Sequence, residues 1–207
     1  MSVIDQLPPS RQPVQTFVID SSKKLRAYRF IQDHLDRGLQ AYIVCPLVES
    51  DEDTAPTLQN VQEYAAQLQE GPFCSYRVGL LHGKMKPREK DAVMADFSAG
   101  RIQLLVSTTV VEVGVDVPNA TVMVIENAER YGLSALHQLR GRVGRGGGEA
   151  YCILISDHTG EAVRDRLRFL CHTQDGFEIA KYDLETRGPA TSSATGSTAC
   201  PPCSWPT

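Results

Sequence analysis

Apolar positions along this chain recur with two different periods. Val14 to Ile19 alternates with period two, as a strand does, whereas Leu25, Tyr28, Ile31 and Leu35 recur at helical spacing. Ser21 or Ser22 stands where a helix cap is expected, and Gly38 where the helix should stop. Ala41 to Val48 is a near-continuous apolar run broken by Pro46, the pattern of a buried parallel strand and its exit. After an acidic loop from Glu49 to Pro56, a helix is predicted from Thr57, with Leu58, Val61, Ala65 and Leu68 on one face and an end near Gly71-Pro72. Tyr76 to Leu81 reads as a strand. Pro87 opens a helix carrying Val93, Met94 and Phe97 and closed by Gly100. Strands follow at Ile102 to Val106, Ala120 to Ile125 and Tyr151 to Ile155, with helices at Ser134 to Val143 and Thr159 to Leu170. Short apolar strands alternating with helices predict a parallel α/β sheet covered on both faces. Ligands bind such sheets at the carboxyl ends of the strands. The loops after Val106 and Ile125, and the helix before Tyr151, are therefore where chemistry is sought.

Composition narrows the class. The 207 residues carry 21 Lys+Arg and 25 Asp+Glu, so 21 − 25 gives a net charge of −4; 42% are hydrophobic and 22% charged. Those are globular values, which exclude a collagen, a coiled coil or a wholly disordered chain. No apolar run approaches the roughly 20 residues of a membrane span. Met1 to Pro13 is polar with three prolines and no hydrophobic block, so it reads as a linker, and a cytoplasmic location is expected. Mild acidity argues against a generally basic nucleic-acid binder while leaving room for a local basic site. Cys45, Cys74, Cys152 and Cys171 are scattered singly, as buried or reduced thiols are. Cys200 and Cys203 form the one C-x-x-C pair, with no second pair at ligand spacing, so no metal site is expected.

Three segments could carry chemistry. In Gln138-Leu139-Arg140-Gly141-Arg142-Val143-Gly144-Arg145-Gly146, Arg142 and Arg145 stand three apart, so on a helix or its last turn they project to one side. Gly141 and Gly144 would admit a phosphate chain or another backbone. Two guanidinium forks aimed at one point suit a transferring phosphoryl group, whose charge spreads over its equatorial oxygens. A solvated basic helix end is the competing reading. Ser107 to Pro118 starts at a strand end, with Gly114 for close approach and Asp116 able to accept from a ribose; a plain crossover turn competes. Leu81-His82-Gly83-Lys84-Met85-Lys86-Pro87-Arg88-Glu89-Lys90 places four cations after a strand, suited to a phosphate backbone or to a solvated helix start. Gly79 to Lys84 is not a phosphate loop: its glycines are one residue too close, and Met85 stands where Ser or Thr is required. Asp51-Glu52-Asp53 reads as a solvated acidic loop, so neither a phosphate cradle nor a Mg²⁺ site is found.

These residues resemble a known family. Ser107 to Ala120 and Gln138 to Gly146 resemble motifs V and VI of superfamily 2 helicases. Glu126-Asn127-Ala128-Glu129-Arg130-Tyr131-Gly132-Leu133-Ser134, Gln40 to Glu49, Leu81 to Met85, and Asp183-Leu184-Glu185-Thr186-Arg187-Gly188-Pro189 resemble the RecG family of bacterial DNA helicases in particular, over nearly all of Pro13 to Pro189. The resemblance implies a three-layer RecA-like lobe of P-loop NTPase type over residues 14–172, a mostly parallel sheet with helices on both faces. Residues 173–189 would begin the translocation helical hairpin. ATP and Mg²⁺ would be held mainly by a first lobe that brings the phosphate loop and acidic box. Arg142 and Arg145 would act on the phosphates, Gly114 and Asp116 would sit at the ribose, and Gln138 would couple to the other lobe. His82, Gly83, Lys84, Thr108 and Arg187 would face DNA. Implied partners are branched DNA (forks and junctions), the N-terminal helicase lobe and a wedge domain, with no membrane. The implied function is fork and junction remodelling, with this chain inactive by itself. The alternatives are a non-hydrolysing nucleotide- or nucleic-acid-binding module and a non-functional truncated product.

After Pro189 the wording departs from that family. Back-translating Ala190 to Cys200 and restoring one G after the Pro189 codon yields Gly-Asp-Phe-Leu-Gly-Asn-Arg-Gln-His-Gly-Leu, which is family-like. Residues 190–207 are therefore expected to be a frameshifted tail, too poor in apolar residues to bury a core and so disordered. On that reading Cys200, Cys203 and Trp205 are accidental.

Overall fold

A computed structural model describes residues 12–46, 56–108 and 117–187. Every neighbouring strand pair in it runs parallel, so all carboxyl ends share one edge. In chain order the elements are β1 (Gln15–Ile19), α1 (Lys24–Asp36), β2 (Gln40–Val44), α2 (Pro56–Glu70), β3 (Val78–Leu81) and α3 (Pro87–Ser98). They continue with β4 (Leu104–Ser107), β5 (Ala120–Ile125), α4 (Leu133–Arg140), β6 (Tyr151–Ile155), α5 (Glu161–His172) and α6 (Gly176–Arg187). The strand order is β1-β6-β5-β2-β4-β3.

Successive strand residues point to opposite faces, and the apolar runs fill both. Ala41, Ile43, Leu104, Val106, Val122 and Val124 join Ile31, Val61 and Phe73 beneath α1 and α2. Tyr42, Val44, Leu105, Met123 and Ile125 join Met94, Phe97, Leu139, Leu167 and Ile179 beneath α3 to α6. Helix layers on both faces of a parallel sheet are the three-layer architecture expected. The last helix is part of this packing: Ile179 is buried, and the Tyr182 ring stacks on Phe169 of α5 with centroids 4.1 Å apart. Burial pushes the Cys45 and Cys152 thiols up to about 12, so both are inert at neutral pH.

Several expectations shift. Leu25 is 71% exposed, not on the buried face of α1; Ala27, Tyr28, Ile31 and Leu35 make that face. Ser21 and Ser22 form no side-chain cap. They lie in a 3-10 turn, Ser21–Lys23, whose first N–H is taken by the Asp157 carboxylate at 2.7 Å. β3 and β4 start two residues later than predicted, and α5 starts at Glu161. Residues 1–11, 47–55, 109–116 and 188–207 lie outside the described residues, and with them most of the linker, the acidic loop and the proposed tail. The side chain of Leu58 is outside them too. Among the described residues no helix is long and apolar enough to cross a membrane, and no group of three His, Cys, Asp or Glu side chains could hold a metal.

Candidate functional site

The shared carboxyl edge brings two of the three chemistry-bearing segments, the one from Leu81 and the one from Ser107, side by side. The Thr108 N–H donates to Leu81 O at 3.1 Å, Cys45 N–H to Ser107 O at 2.8 Å, and Glu126 N–H to Val44 O at 2.8 Å. The ends of β3, β4, β2 and β5 therefore stand in a row. After β3 the chain closes a short turn: Met85 N–H donates to His82 O at 3.2 Å, and the His82 N–H meets the Met85 sulfur at 3.4 Å. That turn presents Gly83 and Lys84 to solvent. It leads into α3, where Pro87 has no N–H to waste and the Glu89 carboxylate accepts the Lys86 N–H at 3.1 Å. Lys84, Lys86 and Arg88 are exposed. Thr108 is different. It is 3% exposed, and its hydroxyl has no partner, as is also true of the His82 Nδ1. His82, Gly83, Lys84 and Thr108 are thus brought together. Arg187 closes α6, and its side chain lies outside the described residues.

The arginine turn lies at the opposite, amino edge. α4 starts beyond the end of β5 and runs back across the sheet, so the Gly144 N–H reaches Ala120 O, the start of β5, at 3.2 Å. The helix stops at Arg140, short of the predicted Val143, so Arg142 and Arg145 sit on the turn that follows it. The turn is fixed from beneath by Val143, fully buried, and by Gly144. Arg142 is half-buried, and Arg145 is exposed with its Nε donating to Gly141 O at 3.2 Å. Gln138 projects to solvent from α4. Gly114 and Asp116 lie outside the described residues, but the chain that follows them returns to this edge: a Cβ built on Gly146 would stand 2.6 Å from Pro118 O.

Gly144 holds φ +77°, and a Cβ there would stand 2.7 Å from the Ala150 Cβ, so the position serves close packing of the protein on itself and not passage of a phosphate chain. Gly144→Ala should destabilise the chain by about 2–4 kcal/mol, from the left-handed backbone plus overpacking. Urea unfolding checks this, and a loss below about 1 kcal/mol would show that the turn relaxes freely.

Two groups escaped the sequence reading. Arg140 is 3% exposed and donates from Nη1 to Leu170 O at 2.6 Å and Thr173 O at 3.0 Å, while Nη2 meets the His137 Nδ1 at 2.9 Å. Its place in a run of arginines hid it; only the helical phase, which puts it beside the buried Leu136 and Leu139, separates it from Arg142. The second group is at the end of β5. The buried Glu126 carboxylate accepts from Lys24 Nζ at 2.8 Å and from the Tyr64 hydroxyl at 2.7 Å, tying α1, α2 and β5 at one oxygen. Burial works against the Lys24 charge, but the carboxylate outweighs it, and the Lys24 pKa rises. These partners come from three elements distant in sequence, so no local spacing announces them.

Known proteins resemble this chain in sequence and in fold. The family described as "Helicase conserved C-terminal domain" matches residues 22–147. The ATP-dependent DNA helicase RecG of Thermotoga maritima is 50% identical over 190 residues, 91% of this chain and 24% of the relative; that of Bacillus subtilis is 48% identical over 189 residues, 91% and 27%. The chain therefore spans about a quarter of the length of these curated relatives. Among solved structures, RecG bound to a three-way DNA junction superposes with a TM-score of 0.77 at 48% identity, covering 90% of this chain and 24% of that one. The C-terminal domain of S. cerevisiae Dbp5 gives 0.54 at 16% identity, covering 84% and 98%, which is a likeness of fold alone.

Proposed function

We propose a function from one premise: the chain belongs to the helicase conserved C-terminal domain family. We infer that it is the second motor lobe of an ATP-dependent DNA helicase of RecG type, acting on forks and junctions with a first lobe and a wedge domain. The observation that carries this reading is the placement of two cation sets on opposite edges of one sheet. Lys84, Lys86 and Arg88 mark the carboxyl edge, with Thr108 beside them, and Arg142 and Arg145 the amino edge, where Pro118 meets Gly146.

The amino edge suits a polyphosphate. Its arginine turn offers planar guanidiniums, which match phosphate oxygens in pairs. ATP bound between the lobes would supply the phosphoryl group whose transfer to water drives the motor. Arg142 and Arg145 would stabilise the charge spread over that group, Gly114 and Asp116 would lie toward the ribose, and Gln138 would face the first lobe. Mg²⁺ would be held by the first lobe. At the other edge His82, Gly83, Lys84 and Thr108, with Arg187 from the 173–189 segment, would track the DNA backbone.

The test separates backbone contact from a solvated surface. With Lys84 and Lys86 both changed to Ala, affinity for DNA should fall regardless of sequence, and the slope of log K against log salt should flatten by roughly 1–2. Fluorescence anisotropy on a labelled fork at several salt concentrations reads both. An unchanged slope would place these lysines against solvent or another domain.

A further inference from the structure

We infer that Arg130 is a further DNA-backbone contact, extending the carboxyl-edge surface from β3 across to β5. The inference rests on the reading of that edge as a DNA surface. Arg130 ends a 3-10 turn, Ala128–Arg130, that directly follows the end of β5. The turn is held from several sides. Ala128 is fully buried, the Arg130 N–H donates to Asn127 O at 3.0 Å, and the Tyr131 N–H donates to Ala128 O at 3.2 Å. From α5, Arg166 Nη2 donates to Glu129 O at 2.7 Å. Asn127 adopts φ 47°, the one non-glycine residue in the left-handed region among those described. A left-handed residue persists only where its surroundings fix it, and such positions gather at functional loops.

What this turn presents is a cation. Arg130 is exposed, and its side chain has neither ion pair nor hydrogen bond among the described residues. Among the described residues no acid pairs with it: the Glu126 carboxylate is taken by Lys24 and Tyr64, and the Glu129 carboxylate accepts at Oε1 from Asn127 Nδ2 at 3.4 Å while its Oε2 is buried without a partner. On the same edge Thr108 is buried, so Arg130 is the better-displayed group. The order β5-β2-β4-β3 puts Arg130 three strand spacings from the His82–Lys84 turn, about 14 Å. DNA carries one phosphate per roughly 3.4 Å of axis on each strand, so about four phosphates span that gap. One strand crossing the edge can therefore meet Lys84 and Arg130 together.

The experiment uses the whole 207-residue chain and a fluorescein-labelled forked DNA of mixed sequence, followed by anisotropy at several salt concentrations. Arg130→Ala should raise Kd about five- to tenfold at low salt and flatten the salt slope by about one. Arg130→Lys should recover most of the slope, because it keeps the charge, and part of the affinity, because it loses the fork. Arg77→Ala, which removes an exposed cation at the amino end of β3, should match the unmodified chain. If Lys84→Ala flattens the slope while Arg130→Ala does not, the Arg130 inference fails and the DNA edge stands. If neither variant changes it, both fall. If Arg130→Ala weakens binding only through a lowered melting temperature that Arg130→Lys does not restore, the role is structural and the inference is wrong.

Discussion

Replacing Arg142 or Arg145 by alanine, in a two-lobe protein built from this chain and a phosphate-loop lobe, is expected to cut ATP turnover by roughly 10³-fold or more, the range of arginine fingers elsewhere. Nucleotide affinity should change far less, because the cost falls on charge that develops during transfer and not on the bound ground state. On that reading the turn would supply the asymmetry: Val143 and Gly144 hold its backbone against the start of β5, so the two arginines would start from a fixed backbone when charge develops. Lysine should rescue either position poorly, since a point charge lacks the fork. Single-turnover hydrolysis beside nucleotide binding separates the two quantities. A variant with unimpaired turnover would reduce the pair to a basic turn facing solvent.

The sheet was legible from the sequence because burial on both faces writes itself as uninterrupted apolar runs. Ala120 to Ile125 and Tyr151 to Ile155 fall where the pattern puts them. Ends were harder to place. Tyr76 extends the apolar run of β3 in sequence, yet its hydroxyl turns aside to the Asp36 carboxylate at 2.6 Å, and the strand starts only at Val78. The helix end before Arg142 was not legible in the sequence. Periodicity continued the helix to Val143, whereas the left-handed Gly144 and its contact with Ala150 require a turn, and both depend on β6, a separate element. The same limit explains the edge assignment. Spacing offers the arginines and the basic loop as two phosphate-seeking groups but cannot say they lie on opposite edges, which follows only from the direction of α4 relative to β5. Glu126 was visible as part of a family-like run; its role as the anchor of Lys24 and Tyr64 was not.

Arg140, two residues before Arg142, should behave in the opposite way: Arg140→Ala is expected to lower stability by about 3–5 kcal/mol, because it removes charged hydrogen bonds and leaves buried carbonyls without their donor. Its guanidinium satisfies Leu170 O and Thr173 O where α5 ends. Those carbonyls gather the negative end of the helix dipole, so a cation there is favoured, and bonds to a charged donor are worth about 1.5–3 kcal/mol each. Alanine would also leave a cavity between α4 and the end of α5, beside Leu139 and Leu170, both fully buried. For a chain of this size the loss corresponds to a fall in Tm of roughly 6–20 °C. Lysine cannot reach both carbonyls with one ammonium and should recover less than half of it. Arg142→Ala removes a half-buried side chain that holds no such carbonyls and should leave Tm nearly unchanged. Thermal and urea unfolding of the two variants side by side is the measurement. Equal stability losses would mean that the run of arginines acts as one charged cluster, without the division between a buried tie and a displayed fork.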